Sequence, residues 1–154
     1  MPGGSPRVLV VEDDDAIRTL LVAALRREPF DIDAAKDGEA ALQLTRECEY
    51  AVIVLDLMMP RINGFEFLDA FHAYAPKHRS VVIVVTAFDD AKVAKLQAEQ
   101  VHVVIHKPFD VTQLVTMIRE VVMMWQAHTQ GAPAEPLPAG RESEYDVRSD
   151  EPTN

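Results

Sequence analysis

Four short, continuous apolar runs constrain what this chain can fold into more than any other feature. They are VLVV at 8–11, AVIVL at 51–55, VVIVV at 81–85 and VHVVI at 101–105. A strand with one face in water alternates apolar and polar residues, whereas a continuous run predicts a strand covered on both faces, as in a parallel sheet. A weaker, alternating segment, FDIDAA at 30–35, predicts a fifth strand.

Helical periodicity separates and follows these strands. Apolar residues recur at i, i+3, i+4, i+7 and i+8 from Ile17 to Leu25, and the last apolar stretch, Leu114 to Trp125, has helical spacing as well. Further helices are predicted over 39–47, 64–73 and 90–99. Five alternating strand–helix units predict an α/β fold, in which a flavodoxin-like, doubly wound, five-stranded parallel sheet of order 2-1-3-4-5 carries five helices on its two faces.

Composition limits the classes of function. The chain of 154 residues has 15 Lys+Arg against 25 Asp+Glu, a net charge of −10, which argues against direct nucleic-acid binding. A single cysteine, Cys48, excludes a disulfide within the chain and fits a reducing compartment. No apolar run approaches the ~20 residues of a membrane helix, and MPGGSPR at the N-terminus lacks a signal core. We therefore expect a soluble, cytoplasmic protein without membrane insertion.

Three segments are expected along the chain. Residues 1–5 are predicted to be a disordered N-terminus and 6–127 the folded domain. Residues 128–154 are predicted to be a disordered, acidic, Pro-rich tail, because from residue 131 onward they hold four prolines, six acids and a single aromatic. No output domain is expected after residue 127, which favours a stand-alone protein.

Polar side chains follow four of the predicted strands. Glu12 and Asp13 follow the first strand, Asp56 the third, Thr86 the fourth and Lys107 the fifth. Parallel strands end at one edge of a sheet, so these side chains should converge there. Carboxylates held close repel unless one takes up a proton or a cation lies between them. Oxygen ligands of this kind predict Mg²⁺, with Mn²⁺ as the alternative metal.

Such a site is suited to phosphoryl transfer. Asp56 would be the nucleophile and would form an aspartyl-phosphate. The metal and Lys107 would neutralise the phosphoryl oxygens, and the Thr86 hydroxyl would donate to one of them. Each residue alone has an ordinary alternative role. Acids after a strand favour a helix N-terminus, which we expect of Asp14 or Asp15; a lysine is usually solvated, and a threonine often forms a turn. Their order at one edge favours the site.

The chain resembles the receiver domains of two-component response regulators over roughly residues 6–126. The matching motifs are VLVVEDD, VIVLDLMMPRINGFEFL, VVIVVTAF and HKPFD. The resemblance implies phosphorylation at Asp56 and a cis Lys107–Pro108 bond, with Thr86 as the switch hydroxyl and Lys107 as the residue that pairs with the phosphate. The metal ligands that it implies are Glu12, Asp13, Asp56 and the backbone carbonyl of Met58.

The resemblance also implies a mechanism. A sensor histidine kinase or a phosphotransfer protein would donate the phosphoryl group, and Thr86 would then move inward. The face made by the fourth helix, fifth strand and fifth helix would change its preference for a downstream protein that the sequence does not identify. This describes a signalling domain that phosphorylates and dephosphorylates itself, without turnover of a separate substrate.

Three departures from the family pattern bear on the switch. Val104 occupies the position that usually holds the rotating Tyr or Phe. The turn AEQVH before the fifth strand is one residue shorter than usual. Phe88 and Met58, two positions after Thr86 and Asp56, are bulky and apolar where the family tunes water access, which predicts slow self-dephosphorylation.

Other interpretations stay open. The chain could be a non-switching receiver-like adaptor, or a receiver fragment of a larger signalling protein. An aspartate-nucleophile phosphatase is a third interpretation, but those enzymes usually place a second acid where this chain has Met58.

The last helix, through Met123, Met124 and Trp125, would supply core residues or an apolar patch for a partner or a homodimer. The five histidines share no metal-ligand spacing, namely His72, His78, His102, His106 and His128.

Overall fold

A computed structural model describes residues 4–94, 96 and 100–129 as five alternating strands and helices. The strands are β1 Arg7–Val11, β2 Asp31–Ala35, β3 Val52–Leu55, β4 Val81–Thr86 and β5 Val103–His106. The helices are α1 Asp15–Leu25, α2 Gly38–Glu47, α3 Gly64–Tyr74, α4 Asp90–Val93 and α5 Val111–Thr129. All neighbouring strands pair in parallel, in the order β2-β1-β3-β4-β5. The predicted flavodoxin-like fold is confirmed.

The continuous apolar runs follow from burial on both faces of the sheet. In β1, Val8 and Val10 face one core, which α1 and α5 cover, while Leu9 and Val11 face a second core covered by α2 and α3. Every residue of β3 and β4 is buried. The edge strand β2 is more exposed, which explains its weaker, alternating pattern.

Side-chain caps fix where the first three helices begin. Asp14 accepts the N–H of Ile17 at the start of α1, as predicted for an acid at this position. Asp37 accepts the N–H of Ala40 at 2.8 Å at the start of α2. Asn63 forms a capping box with Glu66 at the start of α3. These helices therefore begin directly after the loops at the carboxyl edge of the sheet.

Some helical predictions differ from the structure. Leu20 belongs to the periodic stripe of α1 but is 51% exposed, and Met123 and Met124 on α5 are 62% and 41% exposed. Helix α5 extends to Thr129, two residues beyond the predicted end of the domain. The helix predicted over 90–99 is described as α4 over its first four residues, and much of the remainder, like residues 1–3 and 130–154, lies outside the described residues.

Among the helices of the described segments, none combines the length and the apolar character that crossing a bilayer requires.

Candidate phosphorylation site

Three carboxylates meet at the carboxyl edge of the sheet. Glu12, Asp13 and Asp56 each place a carboxylate oxygen within 4.8 Å of the other two. The backbone explains the convergence: the N–H of Asp56 donates to the carbonyl of Val11 at 3.0 Å, so β1 and β3 deliver their acids side by side. Glu12 is 2% exposed and Asp56 is 3% exposed, whereas Asp13 is open to solvent. The predicted acidic cluster therefore combines two buried acids with an accessible one.

Lys107 directly follows β5 and reaches this cluster from the end of that strand. Its Nζ atom lies 3.0 Å from Oε1 of Glu12 and 3.4 Å from Oδ2 of Asp56. Its backbone N–H donates to the carbonyl of Thr86 at 2.8 Å, which extends the pairing of β4 with β5 by one residue. The peptide bond that follows, Lys107–Pro108, is cis. The ammonium group is thus held between the two buried carboxylates.

The charges of the site do not balance. Three carboxylates surround one ammonium group, and two of them are removed from water. Burial, and then the hydrogen bond and charge of Asp56, raise the pKa of Glu12 above its usual range despite the contacts from Asp14 and Lys107. Burial lowers the pKa of Lys107, but its bond to Glu12 and the charge of Asp56 outweigh that effect and raise it. A divalent cation would relieve the remaining repulsion.

The donor set fits a hard cation. All the candidate side-chain ligands are carboxylate oxygens, which Mg²⁺ prefers and which it binds together with several waters. No nitrogen or sulfur atom belongs to the cluster of metal-ligating groups found among the described residues, so a soft metal has no advantage here.

The loop after β3 holds Asp56 in place. The N–H of Met58 donates to Oδ1 of Asp56 at 3.0 Å, while Oδ2 faces Lys107. Helix α3 then begins against this loop, because Gly64 has no side chain. A Cβ atom at Gly64 would lie 2.6 Å from Cα of Leu57 and 2.8 Å from the carbonyl oxygen of Asp56. The close approach of backbone to backbone therefore requires glycine here.

Thr86 lies beside Lys107, whose backbone N–H it accepts, and Val104 lies on the neighbouring strand β5. Thr86 ends β4, is fully buried, and its Oγ1 accepts the N–H of Phe88 at 3.0 Å. Val104 pairs with Val84 in the sheet, and its half-buried side chain packs on the core beneath α2 and α3, as does Phe88. Phe88 also contacts Phe65, with ring centroids 5.9 Å apart. The backbone of Phe88 thus contacts Thr86, while its aromatic side chain packs on the same core as Val104.

Two contacts near the site have no signal in the sequence. Arg18 donates to the backbone carbonyl of Glu12 at 2.9 Å and so ties α1 to the acidic edge. Arg61, in the loop between Asp56 and α3, adopts a left-handed backbone conformation with φ of 63°. Its guanidinium group pairs with Asp37, the buried cap of α2. Pairings between distant loops cannot be deduced from either segment alone.

Comparison with known proteins gives a consistent result. The sequence profile of the response regulator receiver domain matches residues 8–119. The chain is 36% identical over 119 residues to Response regulator RR06 of Streptococcus pneumoniae, a match that covers 75% of this chain and 52% of RR06. It is 33% identical over 118 residues to Protein RcaC of Microchaete diplosiphon, covering 75% of this chain and 18% of RcaC. The chain thus spans about half the length of RR06 and less than a fifth of the length of RcaC.

Solved structures agree with the fold. A CheY-like receiver domain protein from Methanospirillum hungatei superposes with a TM-score of 0.70 at 28% identity, covering 79% of this chain and 97% of that one. The response regulator TrrA of Thermotoga maritima, solved in complex with Mg²⁺ and BeF, superposes with a TM-score of 0.65 at 28% identity, covering 75% of this chain and 98% of that one.

Proposed function

This chain belongs to the response regulator receiver domain family, and on that premise we propose that Asp56 accepts a phosphoryl group in a Mg²⁺-dependent reaction. The observation that carries the proposal is the meeting of Glu12, Asp13 and Asp56 within 4.8 Å, with the Lys107 ammonium 3.4 Å from Asp56. A solvated surface aspartate would have neither the buried acid partner nor the fixed cation.

In the proposed reaction a carboxylate oxygen of Asp56 attacks phosphorus. The new O–P bond forms as the bond from phosphorus to its donor breaks, and the donor retains that electron pair. A phosphohistidine on a sensor histidine kinase or a phosphotransfer protein is the donor class we propose, because its imidazole is a good leaving group. A chain that acts in this way is a signalling domain, which turns over no separate substrate.

Each residue of the cluster has a proposed part. Glu12, Asp13, Asp56 and the backbone carbonyl of Met58 would hold the Mg²⁺ ion, which supplies charge neutralisation when it is bound. Lys107 would shift from its contacts with Glu12 and Asp56 to a phosphoryl oxygen, a move of its flexible side chain alone. The N–H of Met58, 3.0 Å from Oδ1, fixes the rotation of the Asp56 carboxylate.

Thr86 would report the modification. Its hydroxyl accepts the N–H of Phe88 and lies at the end of β4, beside the backbone of Lys107. A phosphoryl group on Asp56 offers an acceptor oxygen to this hydroxyl. Turning toward it would pull on Phe88 and on the start of α4, and so alter the α4–β5–α5 face that a downstream protein contacts.

The test uses beryllofluoride, a stable mimic of a phosphoryl group. We expect beryllofluoride with Mg²⁺ to shift the amide resonances of Thr86, Phe88 and Lys107 in wild type, and to have no such effect in Asp56→Asn. A matched control is Asp69→Asn, an exposed carboxylate on α3. Shifts confined to residues that touch Asp56 would favour the non-switching adaptor. No Mg²⁺-dependent shift at all would refute phosphoacceptance.

A further inference from the structure

Three histidines lie together near the amino ends of β4 and β5, at the edge of the sheet opposite the acidic site. His72 is in the last turn of α3, His78 is in the connection from α3 to β4, and His102 immediately precedes β5. The Nε2 atoms of His72 and His78 are 3.1 Å apart. Their rings cross at 76° with centroids 4.6 Å apart, and Phe71 stacks on His78 at 4.2 Å.

A separation of 3.1 Å fits either a hydrogen bond or two ligands of one metal ion, and the other ring nitrogens discriminate between them. Nδ1 of His72 lies 3.0 Å from the carbonyl oxygen of Leu68, which can only accept, so this nitrogen carries the proton. Nδ1 of His78 accepts the backbone N–H of Ser80 at 3.1 Å, so neutral His78 carries its proton on Nε2. His78 therefore donates to His72.

A shared metal would disturb this arrangement. Metal at Nε2 of His78 would move the ring proton to Nδ1, where it would face the N–H of Ser80, a buried residue. One hydrogen bond would be lost and two donors would oppose each other. The hydrogen-bond pattern therefore favours a neutral pair over a metal site.

His102 follows the same rule. Its ring Nδ1 accepts the backbone N–H of Val82 at 3.2 Å, and the backbone N–H of His102 donates to the carbonyl of Val82 at 2.9 Å. In all three rings the nitrogen that could take up a proton is already occupied by an N–H donor from the protein. Protonation of any ring turns that acceptor into a donor, breaks the contact and adds a positive charge beside the other two rings.

We propose that His72, His78 and His102 form an acid-sensitive cluster of hydrogen-bonded side chains that stabilises the amino end of β4. In their neutral forms they join the end of α3, the α3–β4 connection and the segment entering β5. Protonation of these rings releases the contacts at this edge of the sheet. The proposal does not depend on phosphorylation at Asp56.

The surroundings support the direction of the effect. Burial, followed by the charges of His72 and His102, lowers the pKa of His78 to about 4, and burial followed by His72 lowers the pKa of His102. Asp69, one turn before His72, accepts from the amide of Gln100 at 3.4 Å, and Lys77 and Arg79 flank His78 as exposed cations. A neighbouring cavity of about 260 Å³ is lined by His78 and by the ionisable residues Arg46, Glu47, Cys48, Glu49 and Tyr50.

The sign of the pH dependence follows from the lowered pKa. Between the folded value of about 4 for His78 and its ordinary value of 6.5, the unfolded chain binds more protons than the folded one. The contribution of His78 to stability is therefore complete above pH 6.5 and declines as the pH falls through this window.

Nuclear magnetic resonance of the wild-type protein tests the hydrogen-bond pattern directly. We expect long-range ¹H–¹⁵N spectra to show the Nε2–H tautomer for His78 and the Nδ1–H tautomer for His72. In a titration from pH 7.5 to 4.5, the amide protons of Ser80 and Val82 should move together with their histidine acceptors, with His78 titrating below about pH 5. An Nδ1–H tautomer of His78, or titration of His78 near its ordinary pKa, would overturn the proposal.

Stability measurements give the second test. Between pH 7 and 5, the folding equilibrium constant of wild type should fall about 20-fold more than that of His78→Gln, which cannot be protonated. His128→Gln, a substitution on α5 outside the cluster, should behave as wild type. Equal pH dependence in wild type and His78→Gln would contradict the proposal. If His78→Gln does not fold, the wild-type titration decides. Micromolar Zn²⁺ binding at pH 7.5 that shifts the His72 and His78 rings would instead make the pair a metal site.

Discussion

Oε1 of Glu12 and Nζ of Lys107 lie 3.0 Å apart although 95 positions separate them in the chain. The contact exists because β1 and β5 end at the same edge of a parallel sheet, and because Glu12 is almost fully buried there. It couples the charge of the acidic cluster to the side chain that, in the proposed function, shifts to a phosphoryl oxygen.

Lys107→Met should separate metal binding from phosphorylation. Removing the ammonium group leaves three carboxylates without their fixed cation, so Mg²⁺ should bind several-fold more tightly. Phosphorylation by acetyl phosphate should slow by roughly 10²-fold or more, the usual effect of removing one electrostatic contact to a transition state. Calorimetry and a phosphorylation time course measure the two effects. Lys92→Met, at an exposed residue, is the control, and weaker Mg²⁺ binding by Lys107→Met would contradict the charge balance described above.

Asp56→Asn should stabilise the metal-free protein while removing its function. The substitution deletes one of the mutually repelling carboxylates and keeps the shape of the side chain. We expect a higher Tm without metal and a smaller rise in Tm on adding Mg²⁺, because ligand stabilisation scales with affinity. Thermal unfolding with and without Mg²⁺ measures both. If Mg²⁺ raised the Tm of Asp56→Asn as much as that of wild type, Asp56 would be excluded as a metal ligand.

Gly64→Ala should displace the loop that carries Asp56. The new methyl group would lie 2.6 Å from Cα of Leu57, and backbone cannot move aside as a flexible side chain can. Overpacking of this kind costs about 1–3 kcal/mol in the free energy of unfolding, and Mg²⁺ affinity should fall with it. Gly4→Ala, at the exposed start of the described chain, should change neither quantity. Wild-type stability and affinity in Gly64→Ala would mean that the close approach has no structural role.

Asp37→Ala should destabilise the start of α2 and its contact with the loop after β3. It removes both the cap on Ala40 and the partner of Arg61, and loss of a cap alone costs about 1 kcal/mol. The cap bond from Ala40 is the main cause of the lowered pKa of Asp37, and Arg61 adds to it against the cost of burial. Its stabilising effect is therefore present above the unfolded pKa of 3.8 and is lost as the pH falls through the lower folded value. Denaturant unfolding of wild type and Asp37→Ala should converge at low pH; a constant difference would contradict this.

The phosphorylated protein should lose its phosphoryl group slowly. The expectation comes from Met58 and Phe88, two bulky apolar residues at the positions where the family tunes water access. Met58→Asn and Phe88→Ala should each shorten the lifetime of phospho-Asp56, as followed by intact-protein mass spectrometry. Leu20→Ala, at an exposed residue of α1, provides the control. Loss of the wild-type phosphoryl group within seconds would reject the prediction.

The fold and the acidic cluster could be predicted from the sequence because they depend on repeated local patterns. Continuous apolar runs identified strands such as β1, whose Val10 and Val11 point into opposite cores. The topology of a parallel sheet then placed Glu12, Asp56 and Lys107 at one edge. Both steps use residue types and strand order, which are visible in a single sequence.

Contacts between loops could not be predicted in the same way. Nothing in the spacing of His72, His78 and His102 indicates that they meet, because the α3–β4 connection and the entry to β5 set their positions. The Arg61–Asp37 pair depends likewise on a left-handed residue in a loop. Leu20 has the periodicity of a buried residue, yet it lies at the margin of the buried stripe of α1 and remains exposed.

The most direct test of the central claim is the mass of the intact protein after incubation with acetyl phosphate. With Mg²⁺, wild type should gain the mass of one phosphoryl group, and fragmentation should place it on Asp56. Omitting Mg²⁺, or replacing Asp56 with Asn, should abolish the gain, whereas Asp69→Asn should retain it. A gain that is independent of Mg²⁺, or that persists in Asp56→Asn, would contradict a single Mg²⁺-dependent site built by Glu12, Asp13, Asp56 and Lys107.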